Sequence, residues 1–117
     1  MKKIALILVL VISSVLFLSR CYLMNNLYKS DADIDEHYKH ATLKPQHKIS
    51  RFEKRRQHYV VVSKSDTLPL LVMVHGAPGA WYGYMNLVDD SVLQANYKIV
   101  AVDRLGYGKS GYGKAEL

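Results

Sequence analysis

Cysteine is almost missing from this chain of 117 residues: Cys21 stands alone. That excludes an internal disulfide framework and any all-cysteine zinc site. Proline occurs three times and glycine seven times with no period, which excludes collagen-like and low-complexity chains. Acid is absent from residues 1–20, where Lys2, Lys3 and Arg20 are the only charged side chains. From residue 59 onward acid and base balance, although the whole chain carries a formal charge of +6. The surplus base therefore lies in the head and in residues 21–58. The neutral remainder argues against nucleic acid as a partner. What the chain has in plenty is apolar: hydrophobic residues make up 50%, which excludes wholesale disorder. The length allows one domain of ordinary size.

Two lysines precede an apolar stretch from Ile4 to Leu18, broken only by Ser13 and Ser14. Such a stretch suits the core of a signal peptide, and is short for a membrane span of about 20 residues. If Arg20 reaches toward the headgroups, the candidate span extends to Met24. A cleavable signal needs small residues at its cut site, and Ser19-Arg20-Cys21 offers a bulky charge instead. The same arginine argues against lipidation of Cys21. The residues favour an uncleaved anchor over residues 1–24, with secretion after cleavage as the second choice. Lys2 and Lys3 place the N-terminus in the cytoplasm and the body outside it. Membrane lipid is then an expected partner.

Residues 25–48 read as a polar linker. Asp33, Glu36, His37 and His40 stand at helical spacing, and the ordinary reading is a solvated face with charge pairs and no metal. Pro45 is expected to end such a helix near Leu43 or Lys44. The basic run Lys54-Arg55-Arg56 fits a solvated turn between two strands; contact with anionic lipid is the other reading.

The pattern changes from Ile49. Residues 49–53 and 57–63 read as strands, the second rich in β-branched residues. Leu68 to Val74 is a continuous apolar run apart from Pro69, as expected of a strand buried on both faces of a sheet. Trp81, Tyr84, Met85, Val88 and Val92 form one stripe of a 3.6-residue period, which Asp89-Asp90-Ser91 is expected to interrupt or to restart as a second short turn. Residues 98–103 form another strand. Strand, helix and strand within about 35 residues make a parallel crossover unit. In such sheets function gathers at the carboxyl ends of the strands.

Both glycine-containing loops leave their strands at that end. In His75-Gly76-Ala77-Pro78-Gly79, the glycines permit a sharp turn and Ala77 keeps its N–H. An amide between a strand and a helix is a good donor to developing negative charge, and a plain turn is the alternative. His75 ending a strand fits hydrogen-bonded structure better than a base. Gly106, Gly108 and Gly111 fit G-x-G-x-x-G, but Asp103, Arg104 and Leu105 stand before the first glycine, which should follow the strand immediately, and no acid follows at the right distance. Gly108-Lys109-Ser110 copies the end of a P-loop, but Asp103 stands where that loop needs glycine. A nucleotide cofactor is therefore not expected, nor any other cofactor.

The two loops together, in this order and about 25 residues apart, resemble the H-G-x-P-G and D-R-x-G-x-G-x-S elements of the α/β-hydrolase superfamily. The esterase, epoxide-hydrolase and aminopeptidase-like branches carry such elements. The resemblance covers residues 49–117. It implies an α/β fold, here an incomplete, mostly parallel sheet of about four strands with one crossover helix. It implies hydrolysis of an ester, amide or related bond in a small-molecule substrate by a serine-type triad. By the same resemblance Ala77 would supply an oxyanion-hole N–H, with His75, Gly76, Pro78 and Gly79 shaping its loop. Asp103, Arg104, Gly106, Gly108 and Ser110 would be the scaffold of the neighbouring loop, and Trp81 would pack near the pocket wall.

The chain departs from the family at the nucleophile. None of its nine serines sits in a G-x-S-x-G elbow. Ser110 comes closest, but Tyr112 stands where the second glycine belongs. No position matches the acid or the general-base histidine either. The chain by itself is expected to be inactive: the first part of a hydrolase, or a non-catalytic remnant or membrane-bound interaction module. The strand ending at His75 would then lie at a bare sheet edge.

Overall fold

The computed structural model describes residues 2–112 and divides into two compact units, Met1–Ser30 and Asp31–Leu117. Gly113, the last glycine of the loop after Asp103, lies outside the described residues.

The first unit is helix α1, Lys2–Leu27. Its 26 residues span about 39 Å at 1.5 Å per residue, more than a bilayer's hydrocarbon core. The apolar stretch Leu6–Leu23 is long and apolar enough to cross a membrane, a property that spans and signal sequences share. The serines do not break it, because the helix takes up their hydroxyls. Ser14 Oγ donates to the Leu10 carbonyl (2.8 Å) and Ser19 Oγ to that of Leu16 (2.9 Å).

The second unit opens with helix α2, Asp31–His37, followed by β1 (Gln46–Phe52), β2 (Arg55–Val62) and β3 (Leu70–Val74). A 3₁₀ turn at Trp81–Tyr84 runs into α3 (Met85–Val88); α4 (Ser91–Asn96) and β4 (Lys98–Val102) complete it. The strands form one sheet in the order β1-β2-β4-β3. β1 and β4 both run antiparallel to β2, and only β3 and β4 are parallel. The described sheet is thus mixed, with its one parallel pair supplied by the crossover.

The register places His58, Val60 and Val62 of β2 on the same face as Ile99 and Ala101 of β4 and Met73 of β3. The crossover covers that face with Trp81, Met85 and Val88, all buried. The periodic stripe holds only that far. Asp90 caps α4, its carboxylate accepting from the Val92 and Leu93 amides (2.9 Å each), and this restart leaves Val92 exposed.

Three segments differ from the sequence reading. The supposed linker packs Ile34 and Tyr38 into the core, one helical turn apart, and α2 ends at His37, well before Pro45. β1 begins at Gln46 and exposes every residue, so no buried alternation marks it. The Leu70–Val74 strand is covered on one face only: Met73 is buried, while Leu70, Val72 and Val74 are half-exposed or more. Continuous apolar residues do not record how many faces of a strand are covered. Among the described residues β3 pairs with β4 alone and stands at the sheet edge.

Candidate active site

The two glycine-containing loops follow β3 and β4, which are parallel neighbours, so both loops emerge at the same end of the sheet. Two side chains tie them together. His75 is buried, and its Nε2 accepts the Arg104 N–H at 3.0 Å. That leaves the proton on Nδ1, which donates to the Gly76 carbonyl. With both ring nitrogens engaged, and its ring 5.4 Å from that of Tyr107 in an edge-on contact, His75 is a brace between loops.

Asp103 is the second tie, with no exposed surface. Its Oδ1 accepts the Trp81 N–H at 2.7 Å, which anchors the end of the first loop. Its Oδ2 accepts the Lys109 N–H at 2.9 Å, which closes the second loop. The same oxygen lies 2.7 Å from His58 Nδ1, so that nitrogen carries the donated proton. His58 is also buried, and its Nε2 lies 2.9 Å from His47 Nδ1. Burial alone would raise the Asp103 carboxyl. The bonds from His58, Lys109 and Trp81 outweigh it and hold the group below the ordinary carboxylate range.

Ser110 is buried and spent on structure: its Oγ donates to the Asp103 carbonyl (2.7 Å) and accepts the His58 N–H (2.8 Å). A hydroxyl so occupied is not placed to attack a substrate. Gly106 and Gly108 both have positive φ, 83° and 53°. A Cβ at Gly108 would overlap the Asp103 carboxylate, so glycine is required there for both reasons. Trp81 is core, 1% exposed. Arg104 is exposed, its guanidinium 5.4 Å from the centre of the Tyr107 ring. Gly76 is open to solvent, whereas a Cβ at Gly79 would crowd the His75 ring.

Ala77 is exposed at the tip of the first loop, and the Ala77–Pro78 peptide is cis. Its N–H has no hydrogen-bond partner among the described residues. The loop therefore presents a donor at the carboxyl end of β3, with its two stems fixed by His75 and Asp103. No group of residues that could hold a metal occurs among the described residues. In α2, His37 pairs with Asp89 (2.6 Å) and Glu36 with Lys39 (3.1 Å).

The sequence reading missed His58 and His47. The available signal was phase: His58 alternates with Val60 and Val62, so a strand that buries those valines buries the imidazole, which then needs partners. The histidine pair also sets an expected pH response. Burial first, then His58 and Lys109, hold His47 below its ordinary value of about 6.5. The unfolded chain therefore takes up that proton before the folded one, so the contribution is full above pH ~6.5 and is lost as the pH falls through it. Asp103 acts lower. Its contribution is full above about 3.9 and is lost as the pH drops below that value. The urea midpoint, followed by Trp81 fluorescence, should fall in two stages on acidification. His47→Gln should remove the first stage and leave the second.

No family's sequence profile matches the chain. Among curated proteins, it is 37% identical over 65 residues to epoxide hydrolase B of Mycobacterium tuberculosis, covering 55% of this chain and 18% of that protein. It is 32% identical over 53 residues to a proline iminopeptidase of Lactobacillus helveticus, covering 45% of this chain and 18% of the relative. Among solved structures, a loop variant of a haloalkane dehalogenase from Bradyrhizobium elkanii superposes with a TM-score of 0.53 at 23% identity, over 60% of this chain and 22% of that one. Over the matched region the chain is related to the α/β-hydrolase superfamily, by sequence and by fold. It spans under a fifth of the length of these two curated relatives.

Proposed function

We propose that residues 46–112 are the oxyanion-loop part of a hydrolase acting on an ester, amide or related bond in a small molecule. The attack would come from a serine-type triad, and none of its members is assigned to residues 1–117. In this reading Ala77 N–H is one of two donors to the oxyanion of the tetrahedral intermediate. Residues 75, 76, 78 and 79 shape its loop. Asp103, Arg104, Gly106, Gly108 and Ser110 hold the adjacent loop in place. Helix α1 would anchor the protein in a membrane with its N-terminus in the cytoplasm and the body outside.

The observation that carries the reading is the amide of the exposed Ala77: without a hydrogen-bond partner among the described residues, and held between two braced stems. Such a donor costs little to leave in water and becomes valuable only when charge develops beside it. One donor of this kind is worth about 10²–10³ in rate, provided that a nucleophile is present.

The 117-residue chain is therefore expected to show no turnover of p-nitrophenyl esters above buffer. Turnover that Ser110→Ala abolishes would place the nucleophile in this chain and overturn the assignment. The anchor is tested separately: the chain should stay with membranes through a carbonate wash, and release into the soluble fraction would reject it.

A further inference from the structure

Two basic features of the sequence have no role in the hydrolase reading: the Lys54-Arg55-Arg56 run and Lys109. The fold brings one residue from each to the same place. Arg56 of β2 and Lys109 of the second loop line a recess of about 350 Å³, with His47, Ile49 and His58. None of these belongs to residues 75–79. Register explains the meeting. His58 pairs with Ile49, and His47 with Val60, so these side chains and that of Arg56 point to one face of the β1–β2 hairpin. Among the described residues the recess is lined by four nitrogen-bearing side chains and one isoleucine, and by no carboxylate.

The protonation pattern adds to the bias. Asp103 accepts a hydrogen bond from His58 Nδ1–H, and His58 Nε2 meets His47 Nδ1 at 2.9 Å, with the rings stacked 5.1 Å apart. Lys109 and His58 beside it disfavour a further proton on His47, so negative charge arriving in the recess would relieve that cost. Besides Asp103, which is bonded to His58, the acids whose field reaches the recess are Asp31 and Asp35 of α2. Asp31 pairs with Lys109 Nζ at 2.7 Å, and both are well exposed, so the pair is a weak competitor. Asp35 acts on His47 only through its field.

We propose that this recess is a binding site for a phosphate-type oxyanion, held by Arg56, Lys109 and His47. A guanidinium matches two oxygens of a tetrahedral anion, the ammonium adds a point charge, and an imidazole adds a donor. The proposal stands apart from the hydrolase reading, since it uses no part of the Ala77 loop and no nucleophile.

The test is calorimetric titration of the full chain in detergent with sodium phosphate and, separately, with sodium sulfate, at constant ionic strength set by chloride. Saturable binding of one anion per chain is expected. Arg56→Gln and Lys109→Gln should each weaken it about tenfold, and Lys64→Gln, in an exposed turn elsewhere, should leave it unchanged. Asp31→Asn, which releases Lys109, should tighten binding about twofold to fivefold, a gain that misfolding cannot mimic. Failure of both anions to saturate, or equal affinity in Lys109→Gln, Asp31→Asn and Lys64→Gln, would overturn the site. The source of the group is read with dihexanoyl phosphatidic acid. Binding tighter than that of inorganic phosphate supports a lipid headgroup, and equal or weaker binding supports a free phosphate.

Discussion

Asp103→Ala is expected to unfold residues 31–112 under conditions where the unaltered chain is folded. The carboxylate accepts from His58 Nδ1, Trp81 N and Lys109 N, and all three donors lose their acceptor together. A buried donor left without a partner costs about 1–3 kcal/mol. Even with incomplete additivity the loss is about 3–6 kcal/mol. A unit of this size has about 4–12 kcal/mol to lose, at 0.05–0.15 kcal/mol per residue. The chain's one tryptophan reports directly, because Trp81 is buried and its own amide is one of the three donors. A urea midpoint well below that of the unaltered chain, with red-shifted emission at urea concentrations where the unaltered chain is still folded, is the expected result. Asp66→Ala is the comparison: Asp66 forms an exposed pair with Lys98, and its loss should leave the spectrum and the midpoint unchanged. An unshifted midpoint in Asp103→Ala would mean that the carboxylate does not hold the loops.

Gly108→Ala is expected to do nearly as much damage with a single methyl group. The left-handed backbone at φ 53° costs an L-residue about 1–2 kcal/mol. The new Cβ would also overlap the Asp103 carboxylate, which must move and release its bonds. The sum is about 3 kcal/mol or more. Two other glycines separate the contributions. Gly106 has φ 83° but open space, so Gly106→Ala should show the backbone cost alone, about 1–2 kcal/mol. Gly83 has open space and no positive φ, so Gly83→Ala should stabilise by about 0.4–1 kcal/mol. Urea midpoints in the order Gly83→Ala, unaltered chain, Gly106→Ala, Gly108→Ala would bear this out. Equal effects at 106 and 108 would remove the steric argument.

What could be read from the sequence follows from where local chemistry dominates. The loops at 75–79 and 103–110 were legible because glycine, proline and aspartate impose turns almost regardless of surroundings. The crossover was legible because Trp81, Met85 and Val88 keep helical spacing, and Asp90 marks the restart by its capping chemistry. The rest depends on tertiary context. β1 exposes all seven of its residues, so no buried alternation announced it. The turn expected at Lys54-Arg55-Arg56 falls at Glu53 and Lys54, which take positive φ without glycine or asparagine, so its position carried no sharper signal. Ile34 and Tyr38 are two buried residues in a polar segment, too few to show a period. In the candidate site, Asp103 and Ser110 were recognisable by resemblance. The His47–His58–Asp103 chain was not, because its members lie up to 56 positions apart and meet only through strand pairing.

That chain of contacts also dictates the order in which the polypeptide can settle as it is synthesised. The β1–β2 hairpin pairs residues no more than 15 positions apart and can close early. Everything else waits on β4, because β2 and β3 do not touch and are joined only through it. The clasp itself completes only when Lys109 and Ser110 have left the ribosome, some fifty positions after His58. Until then the imidazole of His58 and the valines beside it stay in water, and the nascent chain must be kept from other partners for that interval.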